Sequence, residues 1–356
     1  IYDGEVKSGI FTHQFGGGFV SNYFNFRLQS ETSDEDIPVD SLQRKSAQHI
    51  GHLFVQQVVE PSGWLKIRWG LRINYNEFTE NLHWQPRAGL EFFPFPGVKI
   101  YYHTGLYTQF LSKVPLIDYN HNVEMVWYLP GDRGTGLLKS IHHVAGFQWE
   151  KGGFLFNGES YFKQTSGKQW LFAEKYISKN QSRIQYVSHV GEEMNWGIDL
   201  FAQFRHSNWN HRAGYSFANC EEKMEGINHN SWFPSLNNHR HQLQLSEMFT
   251  LKGWAVSANW TYRSGQPKIL SSTNSTTLEF DRFDYFSQVD ASVAKNIRFR
   301  HFGMSTGISL LNILNRLNIV EVDYLHLTSE SNSYDIQSNV SSLSFTPVFF
   351  LKFQVF

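Results

Sequence analysis

A single cysteine, Cys220, in 356 residues excludes an intramolecular disulfide framework and a cysteine-rich zinc site. An excess of one charge is missing too. The 31 Lys+Arg face 32 Asp+Glu for a net charge of −1, so nothing is left over to neutralise phosphates, and nucleic acid is not expected as a partner. No stretch approaches the roughly 20 consecutive apolar residues of a membrane-spanning helix. The chain opens Ile1-Tyr2-Asp3-Gly4-Glu5, with no initiator Met, basic n-region or apolar h-region, so any leader peptide is expected to be gone already. Catalytic fingerprints are also lacking: there is no GxSxG, HExxH, P-loop or Rossmann glycine pattern. The carboxylate pairs Glu192-Glu193 and Glu221-Glu222 are sequence neighbours that diverge on a strand. The expectation is a non-enzyme that carries no cofactor.

What is abundant is aromatic: Phe 31, Tyr 16 and Trp 11 make up 16% of the chain, yet the mean hydropathy is only −0.39. Period-2 alternation reconciles the two values. Leu65, Ile67, Trp69, Leu71, Ile73 and Tyr75 alternate with Lys66, Arg68, Gly70, Arg72 and Asn74. Trp254, Val256, Ala258, Trp260 and Tyr262 alternate with small and polar residues, as do Val98, Ile100, Tyr102, Thr104 and Leu106. Trp196, Ile198, Leu200, Ala202 and Phe204 form another such row, spoiled only by Phe201 on the polar side. No helical period stands out.

Glycine-bearing short turns are expected at Phe15–Gly18, Pro61–Gly63, Pro94–Gly97, Lys151–Gly153 and Leu251–Gly253. Long polar loops are expected at 29–45, 112–139, 165–185, 222–239, 265–283 and 328–343. Short turns at one end and long loops at the other are the asymmetry of an outer-membrane barrel, and the segmentation gives about 15 strands. To keep the parity, 302–327 reads as one long strand with a bulge near Asn315-Arg316 rather than two strands broken at Asn312–Asn318. A soluble β-sandwich also alternates, but it has short turns at both ends and no rows of large rings near strand ends. Orientation follows from magnitude: bases such as Lys66, Arg68 and Arg72 would each cost about 2–4 kcal/mol at the lipid midplane, so that face looks into a wet lumen. The fold class is therefore all-β, a transmembrane antiparallel up-and-down β-barrel.

Several segments then match a family in order. They are Pro86-Arg87-Ala88-Gly89-Leu90, Tyr107-Thr108-Gln109-Phe110-Leu111 and Trp127-Tyr128-Leu129-Pro130, then Gly226-Ile227-Asn228 with Ser231-Trp232-Phe233-Pro234, and His239-Arg240-His241-Gln242-Leu243. Gln288-Val289-Asp290-Ala291-Ser292, Asn312-Ile313-Leu314-Asn315-Arg316 and the terminal Phe353-Gln354-Val355-Phe356 complete the series. Over residues 46–356 this resembles the C-terminal barrel region of TonB-dependent outer-membrane receptors of the Bacteroidota type. Two departures are Asn238 in place of the family's Asp before His239, and Phe356 in the register opposite the row Phe349, Leu351, Phe353, Val355. The resemblance implies a barrel of about 22 strands, of which residues 1–356 are a single C-terminal transmembrane region. By the same resemblance, the N-terminal plug, the TonB box and the first strands are expected to lie outside this chain. It also implies the bacterial outer membrane as location, its lipid and lipopolysaccharide as surroundings, and the TonB complex as a partner through that N-terminal region. A surface lipoprotein or other outer-membrane subunits are further expected partners. The implied function is TonB-dependent import of a small ligand, with a structural barrel subunit of a larger assembly as the alternative. The Asn312–Arg316 box is more similar to shorter siderophore-type receptors than to glycan importers, which points to a metal chelate, cofactor or small peptide.

Candidate site residues follow from face and position. Lys66, Arg68, Arg72, Arg87, Glu91, Lys99, Asp199 and Arg205 are expected on the lumen face, in contact with a plug or with the ligand path. Trp127, Tyr128, Trp232 and Phe233 are expected on extracellular loops as a capture surface, since amphipathic rings suit sugars, peptides and chelates alike. His229, His239 and His241 share one loop and are weak metal-ligand candidates, whereas the adjacent His142 and His143 must point to opposite faces.

Overall fold

The computed structural model describes residues 2–28, 42–118, 122–128, 136–178, 181–270, 276–329 and 332–355. The chain begins with β1 (Tyr2–Ser8), β2 (Phe11–Leu28), β3 (Leu42–Ser62), β4 (Leu65–Asn76), β5 (Asn81–Phe92) and β6 (Val98–Gln109). Two short strands, β7 (Ser112–Ile117) and β8 (Val123–Tyr128), precede β9 (Leu138–Lys151), β10 (Phe154–Ser178), β11 (Gln181–His206) and β12 (Trp209–Met224). The two-residue β13 (Phe233–Pro234) leads to β14 (His241–Leu251) and β15 (Trp254–Arg263). Then come β16 (Pro267–Ile269), β17 (Phe280–Arg282), β18 (Phe286–Arg298), β19 (Phe302–Leu311), β20 (Ile319–Ser329), β21 (Asn332–Ser341) and β22 (Thr346–Val355).

Eighteen strands share one sheet, in which β7, β8 and β13 are appendages. The other 15 form an antiparallel wall, each paired with the next wall strand in sequence from β1 to β22. The strand count and the up-and-down order agree with the alternation. Tight turns close one end, at Gly9-Ile10, Gly63-Trp64, Gly152-Gly153, Ser207-Asn208 and Lys252-Gly253. At Gly253 φ is 80°, a left-handed value that a two-residue hairpin needs and glycine adopts without strain.

Three segment expectations are corrected. Phe15–Gly18 is no turn: it lies inside β2, paired to β1 and β3, and the hairpin is at Gly9-Ile10. The glycine there serves close approach, since a Cβ on Gly17 would sit 2.6 Å from a Leu53 methyl and 2.9 Å from the His52 carbonyl oxygen. The described residues of the expected loop at 165–185 are strand instead, because β10 and β11 run 25 and 26 residues, well past the roughly 9–11 that cross a bilayer. Finally, 302–327 is two strands. The chain leaves the wall at Asn312, whose φ is 49° and whose amide donates to the Arg316 and Leu343 carbonyls at 3.0 and 2.9 Å. β20 pairs only with β21, as a hairpin inside the long connection between β19 and β22. A hairpin within a loop preserves strand parity as well as a bulge does, so parity could not choose between the readings.

The outward rows are apolar along the wall. Trp69, Tyr75, Trp84, Ile100, Tyr102, Trp196, Ile198, Leu200, Val256, Phe349 and Phe353 are all exposed, as lipid-facing residues must be. Rings gather at the turn end, where Phe154 stacks on Phe204 at 3.9 Å and Trp209 lies 4.8 Å from Phe249. One ionisable pair breaks these rows: His211 of β12 bonds to Glu247 of β14 beside Trp209.

Candidate functional site

Residues directly opposite on antiparallel strands share a face, so the register places the lumen residues in belts. In one belt Lys66 faces Glu91, then come Tyr101, Gly146, Glu159, Asp199, Ser216, Gln242 and Arg263 on successive wall strands. The Tyr101 ring fits because its neighbour is glycine: a Cβ on Gly146 would lie 2.3 Å from Cζ. Its hydroxyl donates to Glu159 and, at 3.3 Å, to Asn157.

This lower part of the lumen is charge-satisfied within the chain. Lys66 Nζ is 2.7 Å from Glu60, Arg68 is 3.6 Å from Glu91, and His103 is 3.9 Å from the same carboxylate. The Lys99 ammonium lies 4.6 Å from the Tyr101 ring centroid, and Asp199 accepts from the Ser216 hydroxyl at 2.6 Å. Arg205 sits at the turn end of β11, exposed, its backbone N–H bonded to the Gly153 carbonyl at 2.9 Å. Arg72 and Arg87, higher on β4 and β5, differ from these. Arg72 Nε donates to Asn74 Oδ1 at 3.0 Å; Arg87 donates to Gln85 Oε1 at 3.4 Å and lies 4.7 Å over Tyr107. Neither makes an ion pair among the described residues.

Phe201, the residue that spoiled the alternation, lies opposite Gly214 on the lumen face. No atom would touch a Cβ on Gly214, and the space forms a hollow of about 310 Å³ bordered by Asp199, Phe201, Ser216, Gln242, Thr261 and Arg263. Sequence reasoning named only Asp199 there, although the break at Phe201 was its signal.

Above the membrane the loops fold onto one another. Ile117, Trp170, Phe172, Met224, Ile227, Phe233, Ile269 and Leu278 form one buried core drawn from four separate connections. β7 docks in parallel on the extended part of β10, pairing Leu116 with Leu171 and Ile117 with Phe172. Glu222 latches this cap: it accepts from Trp170 Nε1 at 2.6 Å and from the Ser235 hydroxyl at 2.6 Å. Lys168 lies 3.0 Å from Glu193 and 3.8 Å from Glu222. Burial alone would lower the Lys168 pKa, but Glu222 and Glu193 outweigh it and hold the ammonium above its ordinary 10.5. A raised lysine pKa contributes stability that is complete below the ordinary value and fades as pH rises through the folded one. Protease protection of residues 225–240 is therefore expected to hold at neutral pH and to weaken above pH ~10.5 in wild type. A Lys168→Met variant should lose that alkaline step, which limited proteolysis across a pH series reads directly.

The capture residues separate. Trp127 and Trp232 are exposed, and the Lys113 ammonium lies 5.1 Å from the Trp127 ring centroid; Tyr128 is half-buried. Phe233 corrects the expectation: only 4% exposed, it stacks on Phe280 at 5.2 Å and meets Trp170 edge-on at 5.3 Å, so it holds the loops together. A cleft of about 190 Å³ opens between four connections, bordered by Val123, Met125, Leu236, Lys268, Phe283 and Val320. The three candidate histidines have different surroundings. His229 is exposed, His239 Nδ1 is 3.0 Å from the Ser264 carbonyl oxygen, and His241 Nδ1 is 2.9 Å from the Tyr215 hydroxyl on the outer face. Among the described residues no three His, Cys, Asp or Glu side chains converge as a metal site.

No protein-family model and no curated protein sequence matches the chain. Solved structures do. The ferric enterobactin receptor PfeA of Pseudomonas aeruginosa superposes with a TM-score of 0.62 at 12% identity, over 89% of this chain and 48% of that one. The siderophore receptor PirA from Acinetobacter baumannii gives 0.60 at 10%, over 88% and 50%. The copper transporter OprC gives 0.62 at 13%, over 99% and 55%. At such identities the likeness is one of fold: this chain has the transmembrane barrel fold of TonB-dependent outer-membrane receptors, with its apolar rows facing outer-membrane lipid. It spans about half the length of the solved transporters it matches.

Proposed function

We propose that residues 1–356 form a single C-terminal barrel region of a TonB-dependent receptor that imports a small ligand across the outer membrane. The observation that carries this reading is the pairing of a charged lumen wall with extracellular loops packed into one cap beside its mouth. A barrel with a purely structural role needs the lipid-facing rows but neither of these features. In the proposal, Trp127, Trp232 and the 190 Å³ cleft make first contact with ligand. The belt of Lys66, Arg68, Glu91, Lys99 and Asp199, with Arg72 and Arg87 above it and Arg205 at the periplasmic rim, seats a plug and lines the route. Energy coupling through TonB, an N-terminal plug and membership of the Bacteroidota-type branch rest on the motif series. A metal chelate, cofactor or small peptide is the proposed cargo class, consistent with PfeA and PirA being siderophore receptors.

The test is uptake by a strain deleted for the whole gene, over a panel of radiolabelled metal chelates and cobalamin-like cofactors. Loss of uptake for one compound is expected, with restoration by wild type but not in a background lacking TonB. Unchanged uptake across the panel, with another outer-membrane protein lost from the membrane, would favour the structural subunit instead.

A further inference from the structure

The upper lumen wall of β3, β4 and β5 carries a group of hydrogen-bond donors with no acid among them. His52 faces Asn74, and Asn74 faces His83; one step down, Phe54 faces Arg72, and Arg72 faces Gln85; below these, Gly70 faces Arg87. These neighbouring lumen positions include no Asp or Glu. His52, Asn74 and Gln85 are only 9%, 2% and 4% exposed. Two of these buried groups have unused polar atoms: His52 Nδ1 and Asn74 Nδ2 have no partner. Their arrangement is not accidental slack. Arg72 Nε holds the Asn74 carbonyl oxygen at 3.0 Å, which leaves the Asn74 amide N–H groups turned away from that contact, and Arg87 holds the Gln85 oxygen. The amide oxygens are thus engaged inside the group and the Gln85 amide donates to the Thr108 carbonyl oxygen at 3.4 Å, while guanidinium N–H groups and the Asn74 amide N–H groups are left over.

Buried unsatisfied donors are costly, and two guanidinium groups on adjacent strands repel one another, so an acceptor with negative charge would relieve both. The planar fork of a guanidinium matches the two oxygens of a carboxylate or phosphate. From this we infer that His52, Arg72, Asn74 and Arg87 form an oxyanion niche on the lumen wall, supplied either by an anionic group of the cargo or by an acidic side chain from another part of the same polypeptide. The cargo source deepens the transport reading and rests on it; the readouts below do not use uptake, so either idea can fail alone.

The test uses the full-length protein purified in detergent, with inorganic phosphate as the probe and chloride at matched ionic strength as the reference. If the niche is open to cargo, phosphate raises the thermal midpoint of wild type. Arg72→Gln and Arg87→Gln should each weaken that response roughly tenfold in apparent affinity, as expected for loss of a charged hydrogen bond. Arg72→Lys, which keeps the charge but not the fork, should fall between, while Lys7→Gln, an exposed change on β1, should match wild type. If an internal carboxylate fills the niche, phosphate has no effect. Arg72→Gln then lowers the midpoint at pH 7, and the difference disappears below about pH 4 as the carboxylate protonates. The inference is overturned if phosphate acts equally on wild type and all variants. It is also overturned if phosphate does nothing and Arg72→Gln shows no acid-sensitive loss.

Discussion

Trp170→Ala should open the extracellular cap while the barrel stays folded. The indole is 1% exposed at the centre of the loop core, against Phe233 and Phe172. Removing a buried tryptophan costs about 3–5 kcal/mol through lost burial and the cavity left behind. The substitution also deletes the N–H that Glu222 accepts at 2.6 Å, so the latch carboxylate loses one of its two close donors. The core belongs to connections outside the membrane, whereas the wall is held by strand pairing and lipid-facing rows that do not involve Trp170. Loops at 225–240 and 264–285 should therefore become protease-sensitive, while heat-modifiable migration in detergent gels is kept. Loss of both together would mean that cap and wall fold as one unit.

Leu200→Arg should have the opposite consequence, damaging membrane folding with little direct effect on the loops. Leu200 faces outward on β11 between the rings of Phe204 and Trp196, near the middle of the apolar band. A base at the midplane on the lipid face costs about 2–4 kcal/mol. A matched control is Gln244→Arg, which puts the same side chain on the exposed lumen face of β14, where the change should stay within about 0.5 kcal/mol. Folding into lipid vesicles, titrated with urea, should separate the two variants clearly. Equal destabilisation would reverse the assignment of faces on which every lumen residue named above depends.

How much was legible beforehand depended on the range of the interaction. Alternation along β4, β11 and β15 is a property of adjacent residues, so the strands, their faces and the lumen positions of Lys66, Arg68, Arg72 and Asp199 could be read directly. Hairpins marked by glycine at a positive φ, as at Gly153 and Gly253, were found for the same reason. The Gly16–Gly18 run misled because glycine also serves close packing within a strand, and only the neighbouring strand reveals which role applies. The length of β10 was missed because beyond the apolar band it sets Lys168 and the buried Gln169 beside Trp170 and Phe172, on which the loops pack, a pattern unlike that of a membrane strand.

The amino-acid sequence by itself determined the class of structure, the orientation of its faces and the number of wall strands, because a bilayer imposes a two-residue period that no distant contact can override. Tertiary structure alone decided the rest. Phe233 became a core residue because four loops meet on it, His229, His239 and His241 were given different surroundings, and the β20–β21 hairpin left the wall at Asn312. The donor group around Arg72 likewise exists only through the register of β3, β4 and β5, which sets His52 beside Asn74 and places Arg72 and then Arg87 on the rungs below them. Such contacts are set by which strand lies next to which, and a periodic pattern carries no record of that.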